Sequence, residues 1–179
     1  MPRKRLNSEL PRLTVEQFKH ADKIPLALVL DNVRSQHNIG AAFRTADAFR
    51  ISAIYLCGIT ATPPSAEIHK AALGAEDTVD WRYESDTAVA VSRLRREGYV
   101  LVAVEQAEHS VWLHDFTPHE GEKYALIFGN EVKGVNQQVV DMCDTTIEIP
   151  QHGTKHSLNV SVSIGVVLWD IVCKFNKNV

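Results

Sequence analysis

At 179 residues with 45% apolar content, the chain is long enough for one domain with a full core and short of two comfortable ones. A net charge of −3 and a pI near 6.2 offer nucleic acid no global attraction, and no stretch is long and apolar enough to span a bilayer. Cys57, Cys143 and Cys173 are odd in number, widely spaced and without a Cys-x-x-Cys pair. That pattern argues against a disulfide framework or a thiolate zinc site and predicts buried, reduced thiols in a cytoplasmic protein.

The start, Met1-Pro2-Arg3-Lys4-Arg5, runs into Leu6-Asn7-Ser8-Glu9 and not into the apolar stretch of a secretory signal. Over the first 20 residues Arg3, Lys4, Arg5, Arg12 and Lys19 face only Glu9 and Glu16. On charge alone, residues 1–24 are equally a phosphate-binding arm and a solvated terminus. Thr14-Val15-Glu16-Gln17 fits a capping box for a short helix that packs onto the domain, and Pro25 closes the gap to the first strand.

From there strand and helix patterns alternate. Leu26–Asn32 reads as a buried strand and Asn38–Arg50 as a helix with Ile39, Ala42, Phe43, Ala46 and Phe49 on its apolar positions. Ser52–Cys57 is the next strand, Glu67–Leu73 a short helix, and Asp86–Glu97 a helix capped by Asp86 and stopped by Gly98. Tyr99–Glu105 is a strand, His109–Glu120 a looser stretch, and Lys123–Phe128 and Thr145–Ile149 are strands flanking a short helix near Asn136–Met142. This alternation predicts an α/β domain over residues 25–179, a mostly parallel sheet with helices on both faces. In the last segment Leu158, Val160, Val162, Ile164 and Val166 alternate with small or polar residues as a strand would. The apolar stretch nevertheless continues to Val172, longer than most strands. As a helix, Ser157, Ser161 and Gly165 form a small-residue stripe suited to close packing.

Three polar segments stand where an apolar run ends: Asp31-Asn32, Gly129-Asn130-Glu131, and Pro150-Gln151-His152-Gly153. In an open α/β sheet, ligands sit beyond the carboxyl ends of the strands, so these ends predict one shared pocket. Common phosphate and metal motifs do not explain it. Gly129 and Gly134 have the Walker spacing, but Val135-Asn136 follow where Lys-Ser/Thr is required, and no Gly-x-Gly-x-x-Gly exists. His152 and His156, and His109, His114 and His119, are poor ligand sets in loop context, so no metal is expected.

Taken together, His37-Asn38-Ile39-Gly40-Ala41-Ala42-Phe43-Arg44-Thr45-Ala46-Asp47-Ala48-Phe49, Phe128-Gly129-Asn130-Glu131-Val132-Lys133-Gly134, and Ile149-Pro150 followed by Ser157-Leu158-Asn159-Val160-Ser161-Val162 resemble the SpoU/TrmH branch of the SPOUT RNA methyltransferases. The resemblance covers roughly residues 26–172, with the three motifs in order and in the matching strand context. It implies a deep trefoil knot in the C-terminal part of the sheet, an exception to the rule that chains are un-knotted, and it favours the helix for the last segment. It further implies S-adenosylmethionine as cofactor, methylation of a ribose 2′-hydroxyl in tRNA or rRNA, and a homodimer with no membrane or metal.

Carried onto this chain, the resemblance gives Arg44, Asn38, Glu131, Ser157 and Asn159 as catalytic residues, with Asn38 orienting Arg44. The cofactor falls to Val104, Phe128, Gly129, Asn130, Ile149, Gln151, Ser157 and Leu158, held largely through backbone. RNA falls to Arg3, Lys4, Arg5, Arg12, Arg34 and Arg44. Gln151 stands where the family commonly has Met, and the Thr154-Lys155-His156 run also departs from its pattern; both bear on RNA choice. With no separate N-terminal RNA-binding domain in the chain, the expected substrate is tRNA, the alternatives being rRNA or a catalytically inactive RNA-binding assembly factor of the same fold. On residue type alone, Arg44 is an exposed helix arginine, Glu131 a turn carboxylate beside Lys133, and Ser157 and Asn159 a helix cap.

Overall fold

The structure, a computed structural model, describes residues 2–155 and 157–177, so His156 lies outside the described residues. In chain order it comprises α1 (Val15–His20), β1 (Ile24–Asp31), α2 (Gln36–Ala48), β2 (Ile51–Cys57), α3 (Ala66–Ala72), α4 (Ala75–Thr78), β3 (Trp81–Glu84), α5 (Thr87–Arg96), β4 (Tyr99–Val104), β5 (Val111–Trp112), β6 (Lys123–Phe128), α6 (Gln137–Asp141), β7 (Thr145–Glu148) and α7 (Val160–Lys177). The strands form one sheet in the order β3-β2-β1-β6-β4-β7-β5. Every pairing in it is parallel.

A parallel sheet must be covered on both faces, and the period-2 alternation within each strand decides what covers which. Leu26, Leu28 and Leu30 of β1 share one core with Ile39, Ala42 and Phe43 of α2 and with Ile164, Val167, Leu168 and Ile171 of α7. Ala27 and Val29 point the other way, into a second core with Ala90, Val91 and Leu94 of α5 and Val139 of α6. The basic arm is tied in by Phe18, which enters the larger core from α1. Its helix opens with the expected capping box, Thr14 and Gln17 bonding reciprocally.

Several boundaries move for identifiable reasons. Pro25 lies inside β1, not in a gap before it, at a register shift between Ile24 and Ala27 where its missing N–H is tolerated. α2 starts at Gln36 because Ser35 caps it through the Asn38 N–H, and it stops before Arg50, whose φ of 51° no helix continues. The looser stretch holds β5, which pairs with β7. The edge strand β3 carries no long apolar run, being half-buried to exposed throughout.

The final segment is a helix, and the face it buries is Val160, Ile164, Val167, Leu168 and Ile171, at the i, i+4, i+7, i+8 spacing of an amphipathic helix. The expected small-residue stripe does not pack closely: a Cβ placed on Gly165 meets nothing within 4 Å. Cys57 is buried, whereas Cys143 and Cys173 are only half-buried, and all three are free thiols. Burial and the neighbouring Asp31 push the Cys57 thiol up to about 12, which leaves it protonated and inert at neutral pH.

Candidate active site

Register aligns the strand ends. Leu30 of β1 pairs with Phe128 of β6, Phe128 with Val104 of β4, and Val104 with Ile147 of β7. The carboxyl ends of β4, β6 and β7 thus open side by side into a cleft of about 540 Å³. All eight residues expected to hold the cofactor line it: Val104, Phe128, Gly129, Asn130, Ile149, Gln151, Ser157 and Leu158. Glu131 and Asn159 line it as well.

The floor is a pinched turn. Asn130 and Gly134 form an antiparallel bridge, exchanging backbone hydrogen bonds of 3.0 and 2.9 Å. The Asn130 side chain accepts the Val132 N–H at 2.8 Å and donates to the Asn32 carbonyl at 2.8 Å, fastening the turn to the end of β1. Gly134 has φ of 68°, a conformation that favours glycine. Above it lies Glu105, whose carboxylate accepts the Val135 N–H at 2.8 Å and the Gln106 N–H at 2.9 Å.

One hydrogen-bonded chain joins the three sequence motifs. The Glu131 carboxylate accepts from the Arg34 N–H and the Ser35 N–H, each at 3.2 Å, and from the Asn38 amide at 3.1 Å. The Asn38 carbonyl in turn accepts from the Asn159 amide at 3.2 Å. Asn38 is 6% exposed, so both ends of its side chain are held within the protein. Asn159 also caps α7, its side-chain oxygen accepting the Ser161 N–H at 2.9 Å and the Ser161 hydroxyl at 2.6 Å. Capping and site assembly are therefore done by one residue.

Partial burial pushes the Glu131 carboxyl up, but its own N–H, that of Arg34, the Asn38 amide and the Ser35 N–H together outweigh burial and hold it below its ordinary value. Such a depressed carboxyl contributes stability that is present above pH 4.5, the ordinary value, and lost as pH falls through the lower folded value. Glu131→Gln should accordingly flatten the acid limb of a stability profile measured by urea denaturation below pH 4.5. An acid limb identical to that of the unsubstituted protein would refute this coupling.

Arg44 stands apart from this chain. It is exposed, does not line the cleft and has no side-chain hydrogen bond or ion pair among the described residues. Nor does Asn38 orient it, since the Asn38 amide is occupied by Glu131 and Asn159. Six residues apart on α2, Asn38 and Arg44 point roughly 120° from each other around the helix. In the arm, Arg3 is paired with Glu9 at 3.0 Å, whereas Lys4, Arg5 and Arg12 are exposed without such partners among the described residues. Arg34 is exposed and borders a second, smaller cleft next to the first.

Two carboxylates of the cleft, Glu105 and Glu148, were not anticipated. Glu105 follows the apolar run of β4, the same signal that singled out Glu131, whereas Glu148 sits inside the predicted strand Thr145–Ile149, where no such signal marks it. With Glu131 they set three carboxylates against one cation, Lys133, among the described residues of the cleft lining.

A parallel sheet with its ligand cleft at adjacent carboxyl strand ends, floored by a glycine turn, defines a cofactor-binding α/β protein. Residues 25–169 match the model of the SpoU rRNA Methylase family, and the chain belongs to that family. It is 33% identical over 144 residues to the 23S rRNA (guanosine-2′-O-)-methyltransferase RlmB of Neisseria meningitidis, covering 80% of this chain and 56% of that protein. Among solved structures, the A. aeolicus TrmH/SpoU tRNA modifying enzyme is similar at a TM-score of 0.78 and 27% identity, over 92% of this chain and 81% of that one. The AdoMet-bound rRNA methyltransferase of Sinorhizobium meliloti gives 0.77 and 29%, over 84% and 57%. The chain spans less than two thirds of the length of the first curated relatives it matches.

Proposed function

We propose that this protein transfers a methyl group from S-adenosylmethionine to a ribose 2′-hydroxyl of RNA. The observation that carries this reading is the Glu131–Asn38–Asn159 chain, which draws the three family motifs together at the rim of one cleft. The cleft fits the cofactor by its chemistry: among the described residues, three carboxylates against one ammonium in its lining give a potential that favours a cationic ligand. Gly129, Ile149 and Leu158 would hold it through backbone, with Gln151 and Ser157 at the rim. When bound, it supplies an electrophilic sulfonium methyl.

The protein's part is then to position a weakly nucleophilic hydroxyl and to manage one proton. Glu131 and Asn38 fix the α2 end of the rim, and Asn159 fixes the α7 end. Arg44 is a poor general base because guanidinium keeps its proton. We assign it the adjacent phosphate and the charge that develops on the 2′-oxygen, with phosphate or solvent taking the proton. The inactive assembly-factor reading is disfavoured by the presence of all five expected catalytic residues.

The relatives' names divide between 23S rRNA and tRNA, so the reading commits to the ribose 2′-oxygen and the test carries both RNAs. Labelled methyl transfer to unmodified tRNA and rRNA, read by nucleoside mass spectrometry, should yield a 2′-O-methylated nucleoside. Cofactor and RNA binding with no product on either RNA would replace this reading with the binding module. The trefoil knot, a cytoplasmic location and the division at residue 25 belong to the same proposal. Supporting the knot, β7 lies between β4 and β5 while the chain after it returns to Asn38. Among the described residues no helix is long and apolar enough to cross a membrane.

The homodimer is part of the reading too. Val162, Val166 and Trp169 line up on the solvent side of α7, Trp169 being 62% exposed, and such a stripe fits a second copy. The Trp169 ring also meets Phe49 beyond the end of α2, at 6.2 Å between centroids, so a partner on this face would approach the helix that carries Arg44. Trp169→Glu should weaken the dimer by about 2 kcal/mol or more. Sedimentation giving the same mass for both proteins at micromolar concentration would sink this interface.

A further inference from the structure

Beside the cofactor cleft, across the Asn130–Gly134 turn, lies a second cleft of about 380 Å³, bordered by Asn32, Arg34, Ile59, Val132 and Lys133. Asn130, Val132, Lys133 and Gly134 line both clefts, so the turn is a shared wall. Its apolar side chains are out of place in water: Ile59 is 63% and Val132 78% exposed. Neither side chain supports the core, and both face a concavity that contains two cations. Arg34 and Lys133 have no side-chain partner among the described residues; only their backbone N–H groups are engaged.

We infer that this second cleft receives the base of the nucleotide to be methylated, with Ile59 and Val132 as apolar contact surfaces and Arg34 and Lys133 for the flanking phosphates. The inference rests on the RNA methyltransferase reading and adds to it where the target nucleotide is gripped. Apolar surface rimmed by cations is what an unstacked nucleotide requires, a π-face to cover and a phosphate on either side. The volume falls within the range of small-ligand pockets. A base held there puts its ribose at the shared wall, whose other side is the cofactor cleft.

The polar edges around this cleft are largely spent inside the protein. Asn32 accepts the Ile59 N–H at 3.1 Å and donates to Asp31 at 2.8 Å. Asp31 accepts from Thr87 at 2.5 Å and from the Asn136 N–H at 2.8 Å. Asn130 is occupied within the turn and by the Asn32 carbonyl. The base is thus held by its faces more than read by its edges, and purines and pyrimidines should bind alike.

The test uses the full chain with methyl-labelled isoleucine and valine, saturated with S-adenosylhomocysteine so that the cofactor cleft is filled. Each of the four ribonucleoside 5′-monophosphates should shift the Ile59 and Val132 methyl signals, with affinities within about fivefold of one another, and Arg34→Ala should weaken all four. In parallel, Ile59→Ala should raise KM for the methylated RNA about tenfold or more, the size of one lost apolar contact surface, with cofactor affinity unchanged. Ile59 is exposed, so the fold survives the change. Shifts with no RNA methylated by any protein sample keep the nucleotide site and remove the methyltransferase reading. Methylated RNA with unmoved methyl signals and an unchanged KM keeps that reading and overturns the site.

Discussion

Arg44→Ala should lower methyl transfer about 10²- to 10³-fold, the range seen when one donor to a developing oxyanion is removed. Cofactor affinity and thermal midpoint should stay as they are. The side chain is exposed, makes no hydrogen bond or ion pair among the described residues and lies outside the cofactor cleft, and surface substitutions of that kind change stability by about 0.5 kcal/mol or less. A loss confined to the rate, with binding of cofactor and fold intact, is the signature of a residue engaged only when RNA is present. Arg44→Lys divides the remaining chemistry. Lysine keeps the charge and loses the planar fork, so a nearly full rate in that variant would exclude both bidentate phosphate contact and base chemistry at this position. Loss of cofactor binding together with activity in Arg44→Ala would instead place Arg44 in the assembly of the cleft, contrary to its position here.

The contrast between Arg44 and Asn38 shows what a sequence can carry. The alternation of apolar runs and capped helices was enough for the parallel sheet and its two covered faces, because burial on both sides leaves a plain signal in Leu26–Leu30 and Ala125–Phe128. Polar residues ending those runs marked the cleft for the same reason. Periodicity alone read α7 as a strand; what settled it as a helix was length and resemblance, since Val162 and Val166, exposed on α7, fill in the apolar half of a period-2 pattern. The partners of Asn38 were not legible at all. Glu131 is 93 residues and Asn159 121 residues away in sequence, and only the strand order that sets β6 beside β1 brings them within reach. Glu105 was missed on similar grounds: its acceptor role depends on the Val135 N–H across the turn, a contact 30 residues distant.

Gly129→Ala should be the most damaging single-methyl change in the protein. A Cβ at Gly129 would lie 2.0 Å from the Gly134 carbonyl carbon and 2.0 Å from the Val135 nitrogen, both backbone atoms that no rotamer change can move aside. The Asn130–Gly134 bridge would have to open, and with it go the Asn130 contact to Asn32 and the acceptor position of Glu105. Overpacking of a site that cannot relax costs about 3 kcal/mol, a large share of the margin of a domain this size. Gly134→Ala differs in kind: its Cβ meets the Glu105 carboxylate, at 2.0 Å from one oxygen, and a side chain can retreat, although φ of 68° still strains alanine there. Urea denaturation should therefore rank Gly129→Ala below Gly134→Ala in stability, and calorimetric titration should show cofactor affinity reduced at least tenfold in both, since the turn is the cleft floor. Pairing Gly134→Ala with Glu105→Ala tests the assignment further: removing the clashing carboxylate should restore part of the lost stability, as expected of side chains in direct contact. An unchanged cofactor affinity in Gly129→Ala would mean that the turn is not the floor on which the ligand rests, and the cleft would need another occupant.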